Sequence, residues 1–147
     1  MPDDSPKFRT PLACRLAGID RGWFNSAVAK QQYNCAPPAK GNTRIFQWDD
    51  VVRLYLFGVL FRQTMSIEKA GTLACDIVHV AERSESTRVV LLLTTDEGTR
   101  IIPERDFVPD HKYRPHLIYS TVFDLVNVRA LLAERWENER HIYGEEE

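Results

Sequence analysis

The 147-residue chain has little cysteine, little glycine and no long apolar run, and each scarcity removes a class of protein. Its three cysteines, Cys14, Cys35 and Cys75, show no CxxC spacing, so neither a disulfide framework nor a zinc ribbon is expected. Cys75 and His79 stand at i, i+4 and would share a helix face, with Cys14 or Cys35 as conceivable third donors. Small buried cysteines are common, however, and the expectation is no metal. The seven glycines form no phosphate-cradling G-x-G-x-x-G or G-K-[ST] loop. There is no G-x-S-x-G or H-E-x-x-H motif, and His79, His111, His116 and His141 are scattered. Asp106, Asp110 and His111 form the best polar cluster, which loop solvation explains; Arg105 or Arg114 beside them leaves an anion or a partner's acid open. No catalytic residue and no cofactor are expected. No apolar stretch approaches the ~20 residues of a membrane span, and no signal-peptide pattern follows Met1, which points to the cytoplasm.

Acidic residues are scarce in one half only. Residues 7–63 carry nine Lys and Arg against three acids, a net of +6, whereas residues 64–147 carry ten basic and sixteen acidic side chains, a net of −6. The overall charge of −2 conceals this division. A DNA duplex attracts the first half through counterion release and repels the second, which must face away or face a partner.

The basic half has a legible order. Thr10 can cap a short helix with Pro11 at its first position, Leu12, Ala13 and Leu16 recur at helical spacing, and Gly18 ends it. Asp20 is a good N-cap for a second helix, Arg21 to about Gln31, with Trp23, Phe24, Ala27 and Val28 inward and Arg21, Asn25 and Lys30 outward. Pro37-Pro38 breaks helix, Gly41-Asn42 signals a hairpin turn, and Thr43 to Phe46 alternate like an edge strand. That hairpin would present Lys40, Asn42, Thr43 and Arg44 to a phosphate backbone. Asp49 or Asp50 opens a third helix, apolar almost all round, and Ser66 caps a fourth with Ile67, Ala70, Ala74, Ile77, Val78 and Ala81 in one stripe.

The run Leu12-Ala13, Ala17-Gly18-Ile19, Pro37, Gly41 to Phe46, Trp48-Asp49-Asp50-Val51, Leu54 and Ser66 to Ala70 resembles the DNA-binding domain of the mercury-resistance-regulator (MerR) family and its excisionase relatives. The resemblance covers about half of the chain. It implies a winged helix-turn-helix whose second helix enters the major groove, with contact roles for Arg21, Asn25 and Arg44. No long coiled coil and no effector-type cysteine cluster follow, so metal or drug sensing of the family's usual kind is not implied.

The acidic half predicts a strand from Arg88 to Thr95, a turn at Asp96-Glu97-Gly98, a return strand Thr99 to Ile102 and a short strand around His116 to Tyr119. Ser120 or Thr121 should cap a last helix ending near His141. Its Val122, Leu125, Val128, Leu131, Leu132 and Trp136 cover an arc wide enough to be shared with a second subunit, and a homodimer through them is expected.

The expected organisation is thus α+β: a flexible arm over 1–9, a mainly helical winged helix-turn-helix over 10–83, a small hairpin or sheet plus long helix over 88–141, and an acidic tail over 142–147. Lys7 and Arg9 could serve as a basic arm on DNA, although an untidy terminus explains them as well. Function divides between a dimeric, nucleoid-associated transcription regulator placing Arg21, Trp23 and Asn25 in the major groove of double-stranded DNA and an adaptor or antitoxin-like protein binding a second protein through the acidic half. An excisionase-like architectural recombination factor is a third reading.

Overall fold

Phe8 and Arg9, expected within the flexible arm, form a strand. In the computed structural model, which describes residues 6–63, 66–83, 88–108 and 115–143, β1 (Phe8–Arg9) pairs antiparallel with β2 (Ile45–Phe46), Phe8 opposite Phe46 and Arg9 opposite Ile45. Phe8 is only 1% exposed and meets the edges of Trp48 and Trp136 at ring separations of 5.0 and 5.1 Å. Burying an aromatic side chain contributes about 2–3 kcal/mol, enough to offset ordering one or two terminal residues.

Thr10 does not cap helix α1 (Thr10–Ala17) but is its first residue: the cap position falls on Arg9, extended in β1, whose side chain makes no capping bond. Pro11 lies in the first turn, and the helix ends at Gly18, whose φ of 73° is the left-handed cap that glycine adopts without a Cβ penalty. Asp20 then caps α2 (Arg21–Ala29), its carboxylate accepting the Trp23 N–H at 2.9 Å. Helix α2 stops two residues short of the position its periodicity predicts. Gln31 turns left-handed at φ 60°, its N–H bonding to the Val28 carbonyl while Gln32 N–H bonds to Ala27 at 2.8 Å, the two bonds of a Schellman ending. Tyr33, 2% exposed, is thereby turned into the core against Phe24 and Phe57.

Residues 40–43 close a tight hairpin: Lys40 and Thr43 exchange both backbone hydrogen bonds, and Gly41 takes φ 65° at the turn. Only Ile45 and Phe46 of the expected strand are extended in a sheet, and they pair with β1. Helix α3 (Trp48–Arg62) begins just before Asp49, because Asp50 reaches back to accept the Gln47 N–H at 2.9 Å from inside the first turn. Its Val51, Val52, Leu54, Leu56, Phe57 and Leu60 are all buried, and α1 packs on it. Helix α4 (Ile67–Arg83) has the expected Ser66 cap, with Lys69 N–H donating to Oγ at 3.0 Å.

One long-range contact was not legible in spacing. A Cβ on Gly71 would lie 1.9 Å from the Gln32 carbonyl oxygen, so α4 meets the Schellman turn of α2 backbone to backbone. One helical turn on, Cys75 is disulfide-bonded to Cys35, with a Cα–Cα separation of 5.9 Å. This corrects the expectation of no disulfide: the two cysteines are 40 residues apart, and only the packing of α4 on the residues after α2 brings them together.

The second half holds an antiparallel sheet of β3 (Val89–Thr95), β4 (Gly98–Pro103) and β5 (Leu117–Asp124), in the order β4-β3-β5. Strand β5 is twice as long as expected, and Ser120 and Thr121 lie inside it instead of capping a helix. Val122 and Phe123 are β-formers that pair with Leu91 and Val90, extending the ladder to Asp124. Asp124 then caps α5 (Leu125–Tyr143), accepting the Asn127 N–H at 3.2 Å.

The class is α+β. Two compact units divide it: residues 1–75 with 128–147, and residues 76–127. The last helix beyond Val128 therefore packs with the N-terminal helices, whereas the sequence groups it with residues 88–141. Within that unit Arg135 donates to the Leu16 carbonyl at 2.7 Å and lies over the Tyr55 ring at 5.4 Å. Arg129 pairs with Asp49 at 2.9 Å, and Glu139 with Arg15 at 2.6 Å. The expected dimer surface changes accordingly. Leu125 and Leu132 are fully buried inside the chain and Trp136 packs on Phe8, while Val128 and Leu131 are half-buried and Val122 is exposed. Helix periodicity shows how wide an apolar arc is, not what covers it.

Candidate nucleic-acid interface

Arg21 and Asn25 stand at i, i+4 on α2, so both project from one face of the helix, and both are exposed. Beneath them Phe24 and Ala27 are buried, anchoring the opposite face. Phe24 lies 5.8 Å from Phe46 of β2, so the helix and the strand that follows the hairpin share one aromatic cluster. The exposed face of α2 and the hairpin thus border a common cleft. Its volume is about 540 Å³, and Arg9, Thr10, Pro11, Arg21, Asn25 and residues 39 and 41–44 line it.

Three arginines, Arg9, Arg21 and Arg44, line this cleft, and among the described residues no acidic side chain does. Arg44 is half-buried and donates from Nη1 to the Pro37 carbonyl, which ties the strand side of the hairpin to the segment leading into it. Of the five N–H donors on a guanidinium, that bond engages one. Gly41 and Asn42 at the tip are exposed, where a backbone can approach closely.

The structure thus brings together Arg21, Asn25, Asn42, Thr43 and Arg44 from the residues expected to touch DNA. Trp23 is not among them. Its ring stacks on Phe57 at 4.7 Å and tilts against Phe61 at 5.1 Å, so it holds α2 to α3. Lys30 caps the far end of α2, and Lys40, although exposed, contributes backbone to the hairpin and does not line the cleft. Arg9 enters as a fixed member of the site because β1 pairs with β2, which holds it opposite Ile45. Its charge was visible in the sequence; its fixed position follows from the burial of Phe8 beside it.

Buried groups under the cleft are electrically quiet. Burial pushes the Cys14 thiol up to about 11, against a smaller opposing pull from Arg21, so it is a neutral core side chain near pH 7. Burial likewise raises the Tyr33 phenol well beyond its ordinary range. The metal alternative loses its ligand, since Cys75 is held in the disulfide, and among the described residues no group of three or more His, Cys, Asp or Glu side chains could hold an ion. Arg105 and Asp106 are exposed in a 3-10 turn, while Asp110, His111 and Arg114 lie outside the described residues. No described helix is long and apolar enough to cross a membrane. The chain matches no protein-family model and no curated protein.

Proposed function

We propose that this protein binds double-stranded DNA as a dimeric, sequence-specific transcription regulator. The observation that carries the reading is the cleft, lined by no acid among the described residues, in which the outer face of α2 meets the Gly41-Asn42 hairpin beside three arginines. A helix about 10–12 Å across matches the ~12 Å major groove. In this reading Arg21 contacts guanine O6 and N7, and Asn25 adenine N6 and N7, the pairings their donor and acceptor groups favour. Arg9, Thr43 and Arg44 serve the phosphates, which position the protein without reading sequence. The net charge of +6 over residues 7–63 and the resemblance to MerR-type domains support the same reading.

Fluorescence anisotropy of the purified chain with random-sequence duplex and with its own upstream DNA, at several salt concentrations, tests this. Salt-steep binding that favours the upstream DNA is expected, with Asn25→Ala changing base preference. No binding even at low salt would overturn the proposal.

A further inference from the structure

Strand β5 lies at one edge of its sheet, and among the described residues no strand pairs with its outer side. From Leu117 to Phe123 it carries no charge, proline or glycine. Ile118 is 65% exposed, Tyr119 60% and Val122 61%. Soluble proteins ordinarily shield an edge with a charge, a proline, a bulge or a short strand. The opposite edge has such protection: β4 begins at Gly98, exposes Arg100 and ends at Pro103, which has no N–H to offer. The single irregularity of β5 against β3 falls at Thr94/Thr95, leaving the run to Asp124 regular and open.

We propose that β5 pairs antiparallel with β5 of a second copy about a two-fold axis at Ser120, joining two three-stranded sheets into one of six strands. This inference rests on the dimeric part of the function proposed above and on none of its DNA contacts. The strand is self-complementary in that register. Ile118 falls opposite Val122 of the second copy, and Val122 opposite Ile118, on the same face of the joined sheet as Leu91, which β3 sets beside Val122. His116 falls opposite Asp124. A slip of one residue would set the exposed Ile118 and Val122 row beside the face on which the other copy carries its buried Phe123. A slip of the axis to Thr121 would set Ile118 against Asp124.

Charge at the strand ends favours the same sense. Arg88 binds Asp124 through three contacts of 3.0–3.2 Å at one end. Asp96 lies beside His116 at the other, with Glu97 next to it. Antiparallel pairing sets the Arg88 end against the acidic end of the second copy. A β5-to-β4 contact would instead be open-ended and would meet Pro103, whereas β5 on β5 closes as a dimer.

The test uses the full chain without DNA. Analytical ultracentrifugation should find a dimer, and the double variant Ile118→Lys with Val122→Lys should weaken association about a hundredfold or more, because lysine would face lysine in both cross-strand pairs. Both side chains are exposed in the single chain, and an unchanged circular-dichroism melt will show the fold intact. Ser120→Cys reads the register directly. Opposed residues in an antiparallel pair have Cα atoms about 4.5–5.5 Å apart, within disulfide reach, so mild oxidation should cross-link it. Leu117→Cys, about 20 Å from its own copy, should not cross-link. A monomeric wild type, a dimer that survives both lysines, or failure of Ser120→Cys to cross-link each overturns the proposal. A dimer with these properties that binds no duplex overturns the DNA reading alone, and a monomer that binds duplex overturns this inference together with the dimeric part of the proposed function, leaving its DNA contacts standing.

Discussion

Arg44→Ala should change how DNA binding depends on salt, and the size of the change can be worked from the cleft. Arg44 lines the cleft beside Arg9 and Arg21, so under the proposed function two copies of it, one from each subunit, would meet the phosphate backbone. Each phosphate contact contributes about 0.9 to the slope of log K against log salt, so the variant should lose about 1.8 from that slope. Between roughly 50 and 200 mM salt the deficit of the variant relative to wild type should therefore shrink about twelvefold, being largest at low salt. Arg44 also donates to the Pro37 carbonyl, and a shifted hairpin could weaken binding by itself. Arg44→Lys separates the two effects: a lysine keeps the charge but not the guanidinium fork, so it should lose affinity while keeping the slope. The assay is anisotropy titration of a fixed duplex at four or more salt concentrations. A slope unaltered by Arg44→Ala would refute the placement of the hairpin on phosphate, and a slope lowered equally by Arg44→Lys would refute the charge argument.

Other consequences concern the scaffold under that cleft. Gln31→Gly should stabilise the chain by about 0.5–1 kcal/mol in urea unfolding, because a left-handed residue at φ 60° suits glycine and strains a side chain. Gly71→Ala should destabilise by about 3 kcal/mol or more, since its Cβ would meet the Gln32 backbone oxygen, which has no rotamer to yield; a loss below 1 kcal/mol would show that α4 and this turn are not in contact. Reduction, or Cys75→Ser, should cost up to about 4 kcal/mol by the loop entropy of a 40-residue closure, so unfolding midpoints measured with and without reductant should separate clearly. For Cys14 the folded thiol titrates near 11, above the unfolded value of ~8.5, so the unfolded state loses its proton first and stability falls as pH rises across that window. The fall should approach about 3 kcal/mol and be absent in Cys14→Ala; a pH-independent difference between the two would show that the thiol is not buried.

Local signals wrote themselves plainly into this sequence. Asp20 and Ser66 are caps because their side chains accept backbone N–H groups three residues on, and Gly18 and Gly41 take positive φ where a helix ends and a hairpin turns. These devices act over a few residues, which is why spacing reveals them. The i, i+4 pair Arg21 and Asn25 and the Asn42 to Arg44 run belong to the same category, and they name five of the ten residues that line the candidate cleft. Trp23 shows the limit. Its position in α2 was consistent with either face of use, and only Phe57 and Phe61, more than thirty residues away, assign it to the core.

What the sequence by itself determined is therefore the α+β class, the order of the helices, the hairpin, and the division of charge, because propensity, capping and composition are local or additive. The tertiary structure alone decided that Phe8 anchors a strand holding Arg9 at the cleft, that Cys35 meets Cys75, that Arg135 of α5 grips Leu16, and that Leu132 is core. Each of those depends on which surfaces lie next to each other after the chain has folded back over many residues. An apolar stripe or a lone cysteine specifies that it will be covered, and only packing specifies by what.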